Sequence, residues 1–161
     1  MGLNLQKKKT IVANMHKTAN LALSAIIADS RGIIANKINY LRKKSRKNGI
    51  IFNVVRNNLL KLAFKGTQFE CLKKKLSGPI LIAFSMEHPG SAARIFKKFS
   101  MENKNFQIIG AALKSKSLSS SKIDQLAAMP TYKESIIYII KIMQEITLGK
   151  LLRTLIAIKD K

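Results

Sequence analysis

The stretch GPILIAFSMEHPGSAARIFKKFSMENKNFQIIGAAL, Gly78–Leu113, reads as strand, helix, strand. Gly78-Pro79 opens an apolar run to Ser85 whose length suits a strand. Pro89 starts a helical segment to Glu102, at a position where a missing amide costs nothing. Phe106–Leu113 is again short and apolar. The same order occurs upstream. ALSAIIAD, Ala22–Asp29, reads as a buried strand. Ile33–Lys47 returns to helical spacing through Ile34, Ile38 and Leu41, and Asn48-Gly49 ends it as a C-cap signal does. IIFNVV, Ile50–Val55, is β-branched and apolar, which favours a strand. Two strand–helix–strand halves predict an α+β fold. It is a split βαβ, ferredoxin-like sandwich with a four-stranded, mainly antiparallel sheet and flanking helices. A doubly wound parallel sheet stays open, because strand pairing is not written in one sequence.

Outward from these halves, Leu3–Asn20 reads as a basic amphipathic helix through Leu5, Val12, Met15 and Ala19. Asn57–Phe64 is helical and stops at Gly66; Phe69–Leu76 is a second short helix with Thr67 as its expected N-cap. Lys114–Ser121 is polar and Ser-rich, hence a loop, and Lys122–Met129 a short helix. Pro130 separates this body from a last segment, Glu134–Lys161, which reads as one protruding C-terminal helix. It is apolar on more than half its circumference, with narrow polar lines such as Glu134–Tyr138–Lys141–Glu145. A helix packed on its own domain needs one apolar stripe, so this one asks for a partner. The expected organisation is a globular domain over 1–130 and a helical arm over 131–161. Within the arm, Ile139-Ile140-Lys141-Ile142-Met143 resembles Leu151-Leu152-Arg153-Thr154-Leu155, twelve residues on. Either every amphipathic helix is this self-similar, or two docking sites stand in tandem.

Thirty Lys and Arg against eight Asp and Glu give a net charge of +22. That balance points to an anionic partner, nucleic acid above all. Lys, Asn and Ile are abundant together, which is the mark of an A- and T-rich genome, so part of the charge is background. The six arginines, Arg31, Arg42, Arg46, Arg56, Arg94 and Arg153, stand out for contacts, since a guanidinium offers phosphate a bidentate fork. Asp29-Ser30-Arg31-Gly32 leaves a strand, and Gly32 permits close backbone approach. Arg42, Lys43 and Arg46 fall three and four apart on one helix face, able to straddle adjacent phosphates. Arg56, Asn57 and Lys61 stand where a strand ends and a helix begins, another phosphate-favouring setting. For any one base a solvated surface charge is the alternative. With no Trp and few aromatics, shape and backbone recognition of folded RNA fits better than single-strand stacking.

Catalytic chemistry is not visible. The two histidines, His16 and His88, stand apart, no carboxylates pair, no Cys/His cluster has metal spacing, and no Gly-rich phosphate loop occurs. The expectation is a protein that is no enzyme and holds neither metal nor cofactor. Cys71 is alone, which fits a cytoplasmic protein and reads as a small half-buried hydrophobe. Leu21–Ala28 mimics a signal segment, but Asn14, His16, Lys17 and Asn20 precede it and Asp29 follows. Lys141, Glu145, Lys150 and Arg153 interrupt the terminal helix too often for a membrane span.

Seven segments, in order and spacing, resemble the bacterial ribosomal protein L-ten family, the stalk-base protein of the large ribosomal subunit. They are LNLQKKKTIVA (Leu3–Ala13), LSAIIADSRGI (Leu23–Ile33), VVRNNLLKLA (Val54–Ala63), GTQFECLK (Gly66–Lys73), GPILIAFSMEHPGSAAR (Gly78–Arg94), IDQLAAMPTYKES (Ile123–Ser135) and GKLLRTLIAIKD (Gly149–Asp160). The resemblance covers essentially the whole chain. It implies a globular domain that binds large-subunit ribosomal RNA beside ribosomal protein L-eleven. It also implies a C-terminal helix carrying dimers of the acidic stalk protein L-seven/L-twelve, which recruit translational GTPases. Some members repress their own messenger. The arm is the shorter kind, with room for about two dimers, since its length as a helix is roughly 40 Å. Its expected anchors are Ile139, Ile140, Met143, Ile146, Leu151, Leu152, Leu155 and Ile158, with Lys141, Lys150 and Arg153 meeting the acidic partner at the rim. Two other classes stay open: a nucleic-acid-binding regulator with no acidic partner, and a peripheral membrane protein whose arm lies on anionic lipid.

Overall fold

The computed structural model describes residues 4–103 and 105–159, without the side chains of 120, 121, 147, 148, 150, 151, 154, 157 and 159. The chain divides into two compact units, Met1–Met129 and Pro130–Lys161.

In the first unit, helix α1 (Leu5–Leu21) begins at Asn4, whose Oδ1 accepts the Leu5 N–H at 2.7 Å. Leu3, the expected start, lies outside the described residues. Then follow β1 (Ser24–Asp29), α2 (Ala35–Lys47), β2 (Ile50–Val54) and α3 (Asn57–Ala63). A 3-10 segment (Glu70–Lys75) leads to β3 (Ile80–Ser85), α4 (Ser91–Glu102), β4 (Gln107–Leu113), β5 (Lys116–Leu118) and α5 (Ser120–Ala128). The strands form one sheet in the order β2-β3-β1-β4-β5. Every pairing is antiparallel, with Ser24 opposite both Ser85 and Leu113. The doubly wound parallel alternative is thereby overturned.

The sequence predicts four strands, and the sheet has five among the described residues. The fifth arises inside the polar 114–121 stretch, where Lys114 and Ser115 both take positive φ, 44° and 66°. Tight hairpins need that mirror-image geometry and usually announce it with Asn-Gly or Asp-Gly. Lys-Ser carries no such signal, so the hairpin is illegible in the sequence. A bulge lies between Ile27 and Ala28 of β1, opposite Gly110 and Ile108, leaving Ile109 as the extra residue of β4. A Cβ on Gly110 would come 2.9 Å from Lys75 Cδ, so glycine leaves room there for the lysine stem.

Both faces of the sheet are covered. Ile26, Ala28, Leu81, Ala83 and Ala111 pack against α2, α4 and α5. Ala25, Ile27, Ile80, Ile82, Phe84 and Ala112 pack against α1, α3 and the 3-10 segment. This explains why β1 and β3 read as unbroken apolar runs rather than alternating ones. The seven phenylalanines divide between these cores. Phe106 meets Phe96 and Phe99 edge-on at 5.3 and 5.0 Å, and Phe64, Phe69 and Phe84 make a second group. Each such buried ring stabilises the fold by about 1.5–3 kcal/mol over exposure.

Of the buried polar side chains, Ser24, Ser85 and Thr67 are hydrogen-bonded, whereas Ser45 Oγ has no hydrogen-bond partner among the described residues. Ser24 Oγ donates to Pro89 O at 2.8 Å, and Ser85 Oγ accepts the Ala92 N–H at 3.2 Å, doing for α4 what its N-cap Gly90 lacks a side chain to do. Pro89 therefore precedes α4 instead of starting it, in a turn where His88 Nδ1 accepts the Gly90 N–H at 3.0 Å. Thr67 does not cap the 3-10 segment. Its hydroxyl donates backward to Phe64 O at 3.1 Å.

The second unit holds α6 (Tyr132–Gln144), a π-helical turn (Glu145–Gly149) and α7 (Lys150–Lys159). Thr131 and Glu134 form a reciprocal capping box, so the helix starts two residues before the expected Glu134. Helical structure runs without a gap from Tyr132 to Lys159, widening at the π-helical turn, where Thr147 and Gly149 are both poor helix formers. Asp160 and Lys161 lie outside the described residues.

Candidate nucleic-acid interface and docking helix

Of the three expected basic segments, the fold joins two. The turn after β1 and the segment after β2 meet at one end of the sheet, beside the start of β3. Asp29 holds the turn: its Oδ1 accepts the Arg31 N–H at 2.9 Å, and its Oδ2 stands 3.6 Å from Arg31 Nε. Ser30 donates from both its backbone N–H and its hydroxyl to Pro79 O at 3.1 Å. Asn57 Nδ2 donates to Gly78 O at 2.9 Å. Gly78 has φ +82°, and a Cβ there would lie 2.7 Å from Arg31 Nη2. The glycine thus lets the guanidinium lie across bare backbone while staying 70% exposed. Gly32, φ +71°, is crowded by Asn105, whose amide donates to Gly32 O at 3.3 Å. Arg56, Asn57, Gly78 and Pro79 line an open groove of about 420 Å³, and Lys61 is exposed one turn further along α3. Asn57 is spent on this tie, so its role in the groove is structural as well as polar.

Arg42, Lys43 and Arg46 form a separate group on α2. Together with Asn36, Asn39 and Tyr40 they line an open groove of about 560 Å³. Lys43 and Arg46 are exposed. Arg42 is half-buried, its guanidinium 5.8 Å from the Phe52 ring centroid and its Nη1 3.4 Å from Asn39 Oδ1. A ring face beneath a guanidinium restrains it without consuming its donor fork, so Arg42 is held ready at the groove floor.

Sequence reading missed a third basic strip. Lys8, Lys9 and Lys17 of α1 rim a groove of about 550 Å³ whose apolar walls are Leu5, Val12, Leu59 and Leu62. Periodicity showed the lysines but not that α3 would lie beside them. Arg94, grouped by composition with the other arginines, is instead engaged with backbone: Nε donates to Ala127 O at 3.1 Å and Nη2 to Met129 O at 2.6 Å. Because all the phenylalanines are in the two cores, none is left to stack on a base. Among the described residues, no group of three or more His, Cys, Asp or Glu could hold a metal ion.

In the second unit α6 has no buried residue. Ile139, Ile140, Met143 and Ile146 are 50–62% exposed, and Leu152, Leu155 and Ile158 58–71%. The side chains of Leu151 and Lys150 lie outside the described ones. Lys141 and Arg153 are exposed beside these apolar positions. Such a contiguous apolar surface is more than a soluble helix leaves to water unless something covers it. Among the described residues no helix is long and apolar enough to cross a membrane.

The chain is similar to known proteins along its whole length. Residues 3–100 match the family described as ribosomal protein L10. The large ribosomal subunit protein uL10 of Buchnera aphidicola subsp. Schizaphis graminum is 54% identical over 161 residues, covering 100% of this chain and 98% of that protein. The proteins of the same name from Erwinia tasmaniensis and Sodalis glossinidius are each 50% identical over 161 residues, covering all of this chain and 96% and 98% of theirs.

Proposed function

This chain belongs to the ribosomal protein L10 family, and from that premise we propose that it joins the large ribosomal RNA to the acidic stalk of the large subunit. It is a structural protein of the large ribosomal subunit, ribosome-associated and part of the translation machinery, in a family of ribosomal proteins and not of enzymes. The first unit binds folded ribosomal RNA through Arg31, Gly32, Arg56, Asn57 and Lys61 at the sheet end and through Arg42, Lys43 and Arg46 on α2. Phosphates are positioned by the guanidinium forks, and shape is read by two grooves rather than by stacking. Ribosomal protein L-eleven is the expected neighbour. The second unit carries about two dimers of L-seven/L-twelve, which in turn recruit translational GTPases. Repression of its own messenger would use the same RNA-binding surfaces. For the finer fold, the antiparallel order β2-β3-β1-β4 supports a split βαβ core to which β5 is added.

One observation carries this reading: α6 and α7 expose Ile139, Ile140, Met143, Ile146, Leu152, Leu155 and Ile158 together. Burial in the grooves of a helical partner gives those side chains the cover they lack, and Lys141 and Arg153 give an acidic partner its rim contacts. The test is native mass spectrometry of the chain co-expressed with its acidic stalk protein. One chain with four copies is expected, and Leu152→Asp is expected to release one dimer and keep the other. A folded chain that binds no stalk protein rejects the reading. Binding to anionic vesicles that excess stalk protein does not displace would put a membrane surface in its place.

A further inference from the structure

The two units of the arm's repeat are separated by an irregularity whose position matters. Ile140 and Met143 stand three apart, and Leu152 and Leu155 repeat that pair twelve residues later. Lys141 and Arg153 hold corresponding places, as do Ile146 and Ile158, and all eight are exposed. In an unbroken α-helix each residue advances about 100°, so a twelve-residue step ends about 120° away from its starting face. The two copies would then look in different directions. Between them, however, Glu145–Gly149 forms a π-helical turn. A single turn with i→i+5 bonding accommodates one extra residue within the helix. Twelve residues then behave as eleven, and eleven close three turns to within about 20°.

We propose that the π-helical turn at Glu145–Gly149 is a phasing element that brings Ile140–Met143 and Leu152–Leu155 onto one face, so that two copies of a single acidic partner dock on the same side of the arm. The inference rests on the stalk-docking reading and adds to it how the two sites are set relative to each other. Copies of one partner follow from the repeat itself, since each apolar pair carries its own cation, Lys141 or Arg153, in the same place. A second copy of this chain is the wrong occupant, because it would set those cations against their equals in a protein of net charge +22.

The test is a length series in the full chain, co-expressed with the acidic stalk protein and read by native mass spectrometry and by titration of the second dimer. Deleting Thr147 removes the extra residue, and with it the reason for the π turn. The phase survives, and the second dimer is expected to bind within about threefold of the parent affinity. Inserting one alanine after Thr147 adds a residue the turn does not absorb and rotates α7 by about 100°. The second dimer is then expected to weaken about tenfold or more, as when an interface loses its anchors, while the first dimer stays and reports that the chain is folded. Loss of the second dimer on deletion, or its retention on insertion, overturns the phasing role and leaves docking intact. If the parent chain binds no dimer, the docking reading falls and the phasing role with it.

Discussion

Arg94 donates to Ala127 O and Met129 O and so occupies carbonyls that the end of α5 leaves open. In the sequence it has the same standing as Arg42, because composition ranks side chains by type and not by what surrounds them. Arg94→Met keeps much of the stem and removes the donors. It is expected to lower unfolding stability by about 1–3 kcal/mol, read from the urea midpoint, with RNA affinity and its salt dependence unchanged. Glu70 shows the opposite case of a charge held by its neighbour. The Lys73 hydrogen bond first, and the Lys73 charge second, hold its carboxyl below the ordinary carboxylate range. A lowered carboxylate favours the folded state above the ordinary range, and that contribution is lost as pH falls through the folded value. A titration followed by NMR should show a low Glu70 midpoint that returns to the ordinary range in Lys73→Ala. Glu70 and Lys73 lie three apart in a short 3-10 segment, where that spacing stacks side chains closely. This pair was therefore within reach of sequence reasoning, whereas Arg94 and Ala127 were not.

At the scale of elements, α2 shows how a basic face becomes a surface with a floor. The spacing of Arg42, Lys43 and Arg46 was legible, because three- and four-residue steps always share a helix face. The Phe52 ring beneath Arg42 was not, because it comes from β2 through tertiary packing. Arg42→Ala with Arg46→Ala is expected to weaken RNA binding and to flatten the salt dependence of log K by about 0.7–0.9 for each phosphate no longer neutralised. An unchanged slope rejects that face. Strands β1 and β3 were legible since a sheet covered on both faces needs unbroken apolar runs. The hairpin to β5 was not, as Lys114-Ser115 adopts its turn without the residues that usually signal it. The arm was legible as helix but its π-helical turn was not, because one Thr and one Gly do not announce where a turn will widen.

For the whole molecule, the two apolar clusters lie entirely within the first unit. A fragment ending at Met129 is therefore expected to unfold cooperatively in urea, with far-ultraviolet circular dichroism and ring-proton spectra reporting the transition together. A non-cooperative loss of signal would show that 130–161 is needed for folding. Charge, apolar periodicity and turn residues are local properties, and they determined that this chain is basic, that it has two strand–helix–strand halves, and that its last helix exceeds what one core can cover. The ordered resemblance of seven segments added the family, which the comparisons bear out. Only the tertiary structure decided which basic segments share a surface. Arg31 and Asn57 are 26 residues apart in the chain, yet meet around Gly78 and Pro79 because β3 inserts between β1 and β2. That insertion depends on the summed burial of two sheet faces, a long-range property that no window of sequence contains.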